Sequence, residues 1–94
     1  LKSIGELIEH MAFQTVGGLK HLEVDRAMLE AADRPLLFMD VERLVIKPDV
    51  TAELIGEKVF GIVDCDVVEV PPGLPRAEVL RKCRFVGKVE TSGE

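Results

Sequence analysis

The residues whose types and spacing could support chemistry are Asp64, Cys65 and Asp66, three adjacent positions inside a long β-branched run. On a strand, neighbouring side chains point to opposite faces, so the two carboxylates share one face and the thiol lies on the other. Two carboxylates one pleat apart could bind a hard cation or raise the pKa of one member. The simpler interpretation is a polar patch on a half-exposed strand, with the cysteine as a small core residue.

A second candidate is the pair Glu6 and His10, which stand four positions apart near the start of the chain. On a helix this spacing places both side chains on one face, where they could share a proton or a metal ion. A solvated, hydrogen-bonded pair is the commoner arrangement. We therefore name Asp64, Asp66, Glu6 and His10 as the candidate polar site and assign no catalytic residue.

The cysteines and histidines predict neither a disulfide nor a metal site. Cys65 and Cys83 do not form a CxxC pair, and no secretory leader is visible, so we expect reduced thiols in a cytoplasmic protein. His10 and His21 match no common zinc spacing. We expect no metal and no other cofactor.

Charge and composition limit the classes of partner. The 94 residues have a formal net charge of −5, with four Phe and no Tyr or Trp. An acidic chain with few aromatic rings repels a phosphate backbone and offers little for base stacking, so no nucleic acid is expected. Acidic residues dominate positions 40 to 69 and basic residues cluster from Arg76 to Lys88, which favours charge pairing within or between subunits. No apolar run is long enough to span a membrane.

The hydrophobic pattern predicts the elements that must hold these residues. Ser3 to Phe13 has the spacing of an amphipathic helix. The helix could extend to Val16, and Gly17 and Gly18 are predicted to end it. The remaining segments are a link from 19 to 24, a short helix from 25 to 32, a strand from 36 to 46, a helical turn or strand over 49–55, a strand from 58 to 70, a helix after Pro75 and a final strand from 82 to 90. No internal repeat is evident.

These elements predict an α+β fold with a small, mostly antiparallel sheet of three to four strands and the N-terminal amphipathic helix packed on one face. The strand from Lys58 to Val70 is expected to be central, because its ends are apolar on both faces. The length predicts a single domain over residues 1–94, with 91–94 as a polar tail. An uncovered sheet edge in so short a chain favours a homodimer.

A helix followed by strands resembles the coarse pattern of hotdog-fold acyl thioesterases and dehydratases. The resemblance is carried by Ile4 to Phe13 and by the segment from Leu36 to Pro48. It includes no specific motif, and no His or acid stands at an assignable catalytic position. It implies a small enzyme that acts on an acyl substrate.

Two functions remain open on these observations. The leading one is a non-enzymatic binding or assembly domain, acting as a homo-oligomer or as a subunit of a larger complex, because no nucleophile–base pair, metal set or phosphate loop can be assembled. The alternative is a small enzyme whose site forms between subunits and takes an acyl or other small substrate. Its cleft would be lined by acids such as Asp64, Asp66 or Glu6, or by His10.

Overall fold

A computed structural model describes residues 13–92, and these residues form one sheet with a short helix after each long strand. The strands are β1 (Gln14–Val24), β2 (Leu36–Ile46), β3 (Val59–Val63), β4 (Val67–Val70), β5 (Cys83–Arg84) and β6 (Lys88–Thr91). The helices are α1 (Arg26–Ala31), α2 (Ala52–Lys58) and α3 (Arg76–Leu80). Every strand pairing within residues 13–92 is parallel, which explains the helices, because parallel neighbours need a crossover connection.

The strands lie side by side in chain order. One edge of β2 pairs with β1 along its whole length, and the other edge pairs first with β3 and then with β4. β5 lies beyond β3 and β6 lies beyond β4, so these four segments are two long strands, each interrupted once. The chain therefore makes three β–α coils, 14–35, 36–58 and 59–82, followed by a last strand over 83–91, in a sheet curled into a half-barrel.

Equivalent apolar residues stack in rows across the coils. One row consists of Leu22, Leu44, Val68 and Val89. Its two middle members are fully buried, whereas the first and the last are half-buried. The other rows are Val16, Phe38, Ile62 and Cys83; Leu19, Val41, Cys65 and Val86; and Val24, Ile46, Val70 and Thr91. Stacked rows of this kind produce a continuous core in repeat architectures, where each unit contacts only its neighbours.

Four residues with a positive φ lie side by side, one in β1, one in β2, one between β3 and β4 and one between β5 and β6. They are Gly18, Asp40, Asp64 and Phe85, with φ of 72°, 56°, 54° and 57°. The residues directly before them pair with one another across neighbouring strands: Gly17, Met39, Val63 and Arg84. A left-handed residue turns the chain, so inward-pointing side chains on either side of it are three positions apart instead of two. We call this shared bend the corner.

Side chains fix the helix starts and tie successive coils together. The Asp25 carboxylate accepts a hydrogen bond from the Met28 N–H at 2.8 Å and begins α1, as an N-cap should. Lys58 Nζ donates to the Ala32 carbonyl of the preceding coil at 3.0 Å. A cation at this place satisfies a carbonyl just beyond the end of α1, so it links the second coil to the first.

The predicted fold class is wrong in strand direction and in strand number. The sheet of residues 13–92 has six parallel segments, not three or four antiparallel ones. Gly17 and Gly18, predicted to end a helix, lie inside β1, where a Cβ on Gly17 would be only 1.9 Å from the Met39 carbonyl oxygen. The close approach of two strands, and not a helix end, therefore requires glycine there. The internal repeat was also missed, because the corner disturbs the alternation.

Other predicted elements are confirmed, are wrong in part or fall outside the described residues. The single strand predicted from Lys58 to Val70 is two segments, β3 and β4, separated at 64–66, and Lys58 ends α2. β2 has the predicted bounds, and α1 begins after Asp25 as expected. The helical alternative for 49–55 is correct in kind, although α2 starts after Thr51 and continues through Gly56. The helix predicted from Ser3 to Phe13 lies outside the described residues except for Phe13, which is not helical. Its predicted extension to Val16 is wrong, because these residues begin β1. The strand of the hotdog-like pattern belongs to a parallel sheet.

Candidate functional site

Asp64, Cys65 and Asp66 connect β3 to β4, and Asp64 is the corner residue of this segment. Cys65 is 1 % exposed and packs in the row that contains Val41, whereas both aspartates are exposed. Burial raises the pKa of the Cys65 thiol, a hydrogen bond with the Val41 backbone lowers it in part, and the carboxylates of Asp64 and Asp66 raise it. A buried neutral thiol is a poor nucleophile, so the geometry makes Cys65 a packing residue.

The backbone accounts for Asp64 without any chemistry. Asp64 stands beside Asp40 in the corner, and both have a positive φ. Asp is one of the few residues besides glycine that adopt this conformation readily, because its short side chain can hydrogen-bond locally. The same requirement explains Gly18 in the first strand.

The four residues of the predicted polar site are not shown as one site. Asp64 and Asp66 lie on either side of Cys65, both exposed, while Glu6 and His10 lie outside the described residues. Over residues 13–92, no group of three or more His, Cys, Asp and Glu side chains is placed to hold a metal ion.

In the same range no helix combines the length and the apolar character needed to cross a membrane. Cys65 and Cys83 both carry free thiols.

Charged side chains on the outer face beyond the corner are paired with one another. Arg43 on β2 donates a hydrogen bond to Glu69 on β4, diagonally across the sheet, since Glu69 itself pairs with Val45. Lys88 Nζ lies 3.0 Å from a carboxylate oxygen of Glu90, and this hydrogen bond lowers the pKa of Glu90. These pairs satisfy the charges locally, so this part of the face offers no unpaired acidic cluster.

The last strand, made of β5 and β6, leaves one edge of the sheet open. In the part of the chain that the structure describes, no strand pairs with this outer edge. Its row members Cys83, Val86 and Val89 are only half-buried, although their counterparts one strand inward are at most 1 % exposed. A further strand on this edge would complete every row, and unpaired strand edges readily accept one.

Phe85 is the most unusual residue of this edge. Its side chain is 83 % exposed and its φ is 57°. The left-handed conformation costs a side-chain-bearing residue about 1–2 kcal/mol, and exposure gives up the benefit of burying a large ring. Residues held at such a cost concentrate at sites of function. Sequence reasoning missed Phe85, whose signal was its alignment with Gly18, Asp40 and Asp64 in the earlier strands.

Comparison of the chain with protein-family models, with curated proteins and with solved structures gave no significant match. By its fold the protein is a small parallel β–α coil whose core rows end at an open edge.

Proposed function

We propose that the protein is a non-enzymatic assembly domain that forms a homodimer through the outer edge of β5 and β6, which we call the open edge. The observation that carries this proposal is Phe85, a ring 83 % exposed in a left-handed backbone conformation. A partner that covered the ring would recover the apolar burial that the monomer lacks. The half-buried row members beside it would be covered by the same contact.

A two-fold axis at Gly87 gives the open edge a self-complementary register. Antiparallel pairing around this residue sets Arg84 opposite Glu90 of the second copy and Phe85 opposite Val89. Opposite charges across a strand pair are stabilising, and an aromatic–aliphatic pair adds packing. Gly87 has no side chain to hold the strands apart, and a Cβ there would lie 2.8 Å from the Asp66 carbonyl oxygen within the same chain. Such an interface is isologous, so assembly stops at the dimer.

The proposed setting is the cytoplasm. Cys65 and Cys83 are both free, and unpaired thiols of this kind persist where the environment is reducing. The enzyme alternative finds no support within residues 13–92, because the backbone accounts for Asp64 and burial keeps the Cys65 thiol neutral.

Sedimentation equilibrium tests the proposal. The wild-type chain is expected to sediment as a dimer, and Phe85→Asp as a monomer, because Asp suits the corner but removes the ring. The matched control is Phe60→Asp, since Phe60 is an exposed ring, 53 % accessible, on β3, which lies one strand inward of the open edge. This control should remain a dimer.

Charge reversal tests the register. Arg84→Glu and Glu90→Arg should each weaken the dimer, because each places like charges opposite one another, and the double reversal should restore it. A wild-type chain that stays monomeric at millimolar concentration would overturn the proposed homodimer. A dimer that both single reversals leave intact would contradict the two-fold register at Gly87.

A further inference from the structure

A cleft of about 260 Å³ opens on the outer face of the sheet, on the N-terminal side of the corner. One side of it is apolar and the other carries three cations. The lining residues are Leu37, Phe60, Gly61, Val63, Arg81, Lys82 and Arg84. We propose that this cleft binds a small amphiphilic carboxylate, with its apolar chain on the sheet and its head group between Arg81 and Lys82.

A β-bulge shapes the apolar side of the cleft. The register between β2 and β3 shifts just before Leu37, which pairs with Gly61 and leaves Phe60 without a residue opposite. The Phe60 ring stands out from the sheet and stacks on Phe13, with the ring centroids 4.5 Å apart. A Cβ on Gly61 would lie 3.2 Å from Leu37 Cδ1, so a larger residue there would crowd the floor. Bulges commonly re-aim side chains in this way beside functional sites.

The cationic side of the cleft is not neutralised by its own lining. Within the described residues of its own chain Arg84 has only a 3.5 Å contact with the Cys83 carbonyl oxygen. In the proposed dimer it faces Glu90 of the second copy, so the head group is assigned to Arg81 and Lys82. Arg81 has one acidic neighbour, Glu78, at 3.7 Å, and Lys82 Nζ lies 3.4 Å from a backbone carbonyl. None of the lining residues is acidic, in a chain whose formal net charge is −5.

This combination defines the chemistry of the ligand. Arginine presents a planar fork of donors that matches a carboxylate, so Arg81 beside Lys82 favours an anionic head. A bare anion would leave the apolar floor in water, and a neutral apolar molecule would leave the cations unpaired. The volume lies just below the range of about 300–1,000 Å³ for drug-sized ligands, which limits the apolar part to a short chain.

Titration with octanoate, followed by NMR amide shifts, tests this site in the full chain. Octanoate should shift the amides of Leu37, Gly61 and Val63, in a saturable manner. Acetate keeps the charge without the chain, and octylammonium keeps the chain with the opposite charge, so neither should produce these shifts at the same concentration. Equal shifts with acetate, or shifts spread over the whole chain with octanoate, would overturn the proposal.

Arg81→Ala provides the matched variant, because Arg81 is exposed and lies outside the open edge. Loss of one exposed charge contact should weaken octanoate binding about fivefold. Lys88→Ala removes a cation from the same end of the chain that does not line the cleft, and should leave the affinity unchanged. Equal affinities for wild type, Arg81→Ala and Lys88→Ala would contradict the site. Neither variant changes the Phe85 contact, so the outcome is independent of the dimer test.

Discussion

Phe85 and Asp64 occupy the same place on neighbouring strands, one with φ of 57° and the other with φ of 54°. The equivalence follows from the register, because Arg84 pairs with Val63 and each left-handed residue comes directly after its member of that pair. Three of the four corner residues, Gly18, Asp40 and Asp64, suit the conformation, whereas Phe85 does not. Aspartate at this structural position is therefore less strained than phenylalanine.

Phe85→Asp should increase the free energy of unfolding of the monomer by about 1 kcal/mol, because aspartate adopts the left-handed conformation at less cost. Urea unfolding at a protein concentration low enough to dissociate any dimer measures this change. The reciprocal substitution Asp64→Phe should destabilise by a similar amount. A less stable Phe85→Asp monomer would mean that the ring contributes more to folding than its left-handed backbone costs.

Gly17→Ala should destabilise the fold by about 1–3 kcal/mol, because the added Cβ would lie 1.9 Å from the Met39 carbonyl oxygen and would push β1 away from β2. Gly56→Ala is the matched control, since that glycine lies inside α2 with open space around it. It should stabilise the fold by up to about 1 kcal/mol through helix propensity. Thermal unfolding followed by circular dichroism compares the two, and equal melting temperatures would argue against the close strand approach.

Leu44→Ala should cost about 2–5 kcal/mol, because Leu44 is fully buried in the middle of its row. Leu22→Ala removes the same atoms from the first member of that row, which is half-buried, and should cost clearly less. Urea unfolding of both variants measures the difference. A cost as large for Leu22 as for Leu44 would mean that the row is covered at its first end.

The stability of the fold should decrease at alkaline pH because of Cys65. Burial raises the pKa of this thiol in the folded state, so below the ordinary thiol pKa of about 8.5 both states keep the proton and this group adds no pH dependence. Above that pH the unfolded chain loses the proton first, and the free energy of unfolding should fall until the folded thiol ionises as well.

Cys65→Val should flatten this alkaline slope, because it removes the ionisable thiol. Valine should keep the packing, since the row already contains Val41 and Val86. Urea unfolding over a series of pH values from neutral to about 10 compares the variant with the wild type. Cys83→Ala serves as the control and should keep the part of the slope that Cys65 causes. An unchanged slope in Cys65→Val would assign the alkaline effect to other groups.

The sequence by itself determined some of the local elements, β2 and α1 among them. Strand β2 was predictable from its β-branched and apolar run bounded by Pro35 and Pro48, and α1 from its cap at Asp25. In each case the signal lies within a few residues of the element, where hydrogen bonding and side-chain pattern act directly. The burial of Cys65 and the exposure of its flanking aspartates also agree with the simplest local interpretation.

Only the tertiary structure decided the direction of the strands, the corner and the meaning of Phe85. Parallel pairing joins residues more than twenty positions apart, so no local pattern records it. The left-handed residue changes the inward spacing from two to three, which hides β1 from a search for alternation. The equivalence of Asp64 and Phe85 exists only once the register aligns their strands, because the same φ is favourable for one side chain and costly for the other.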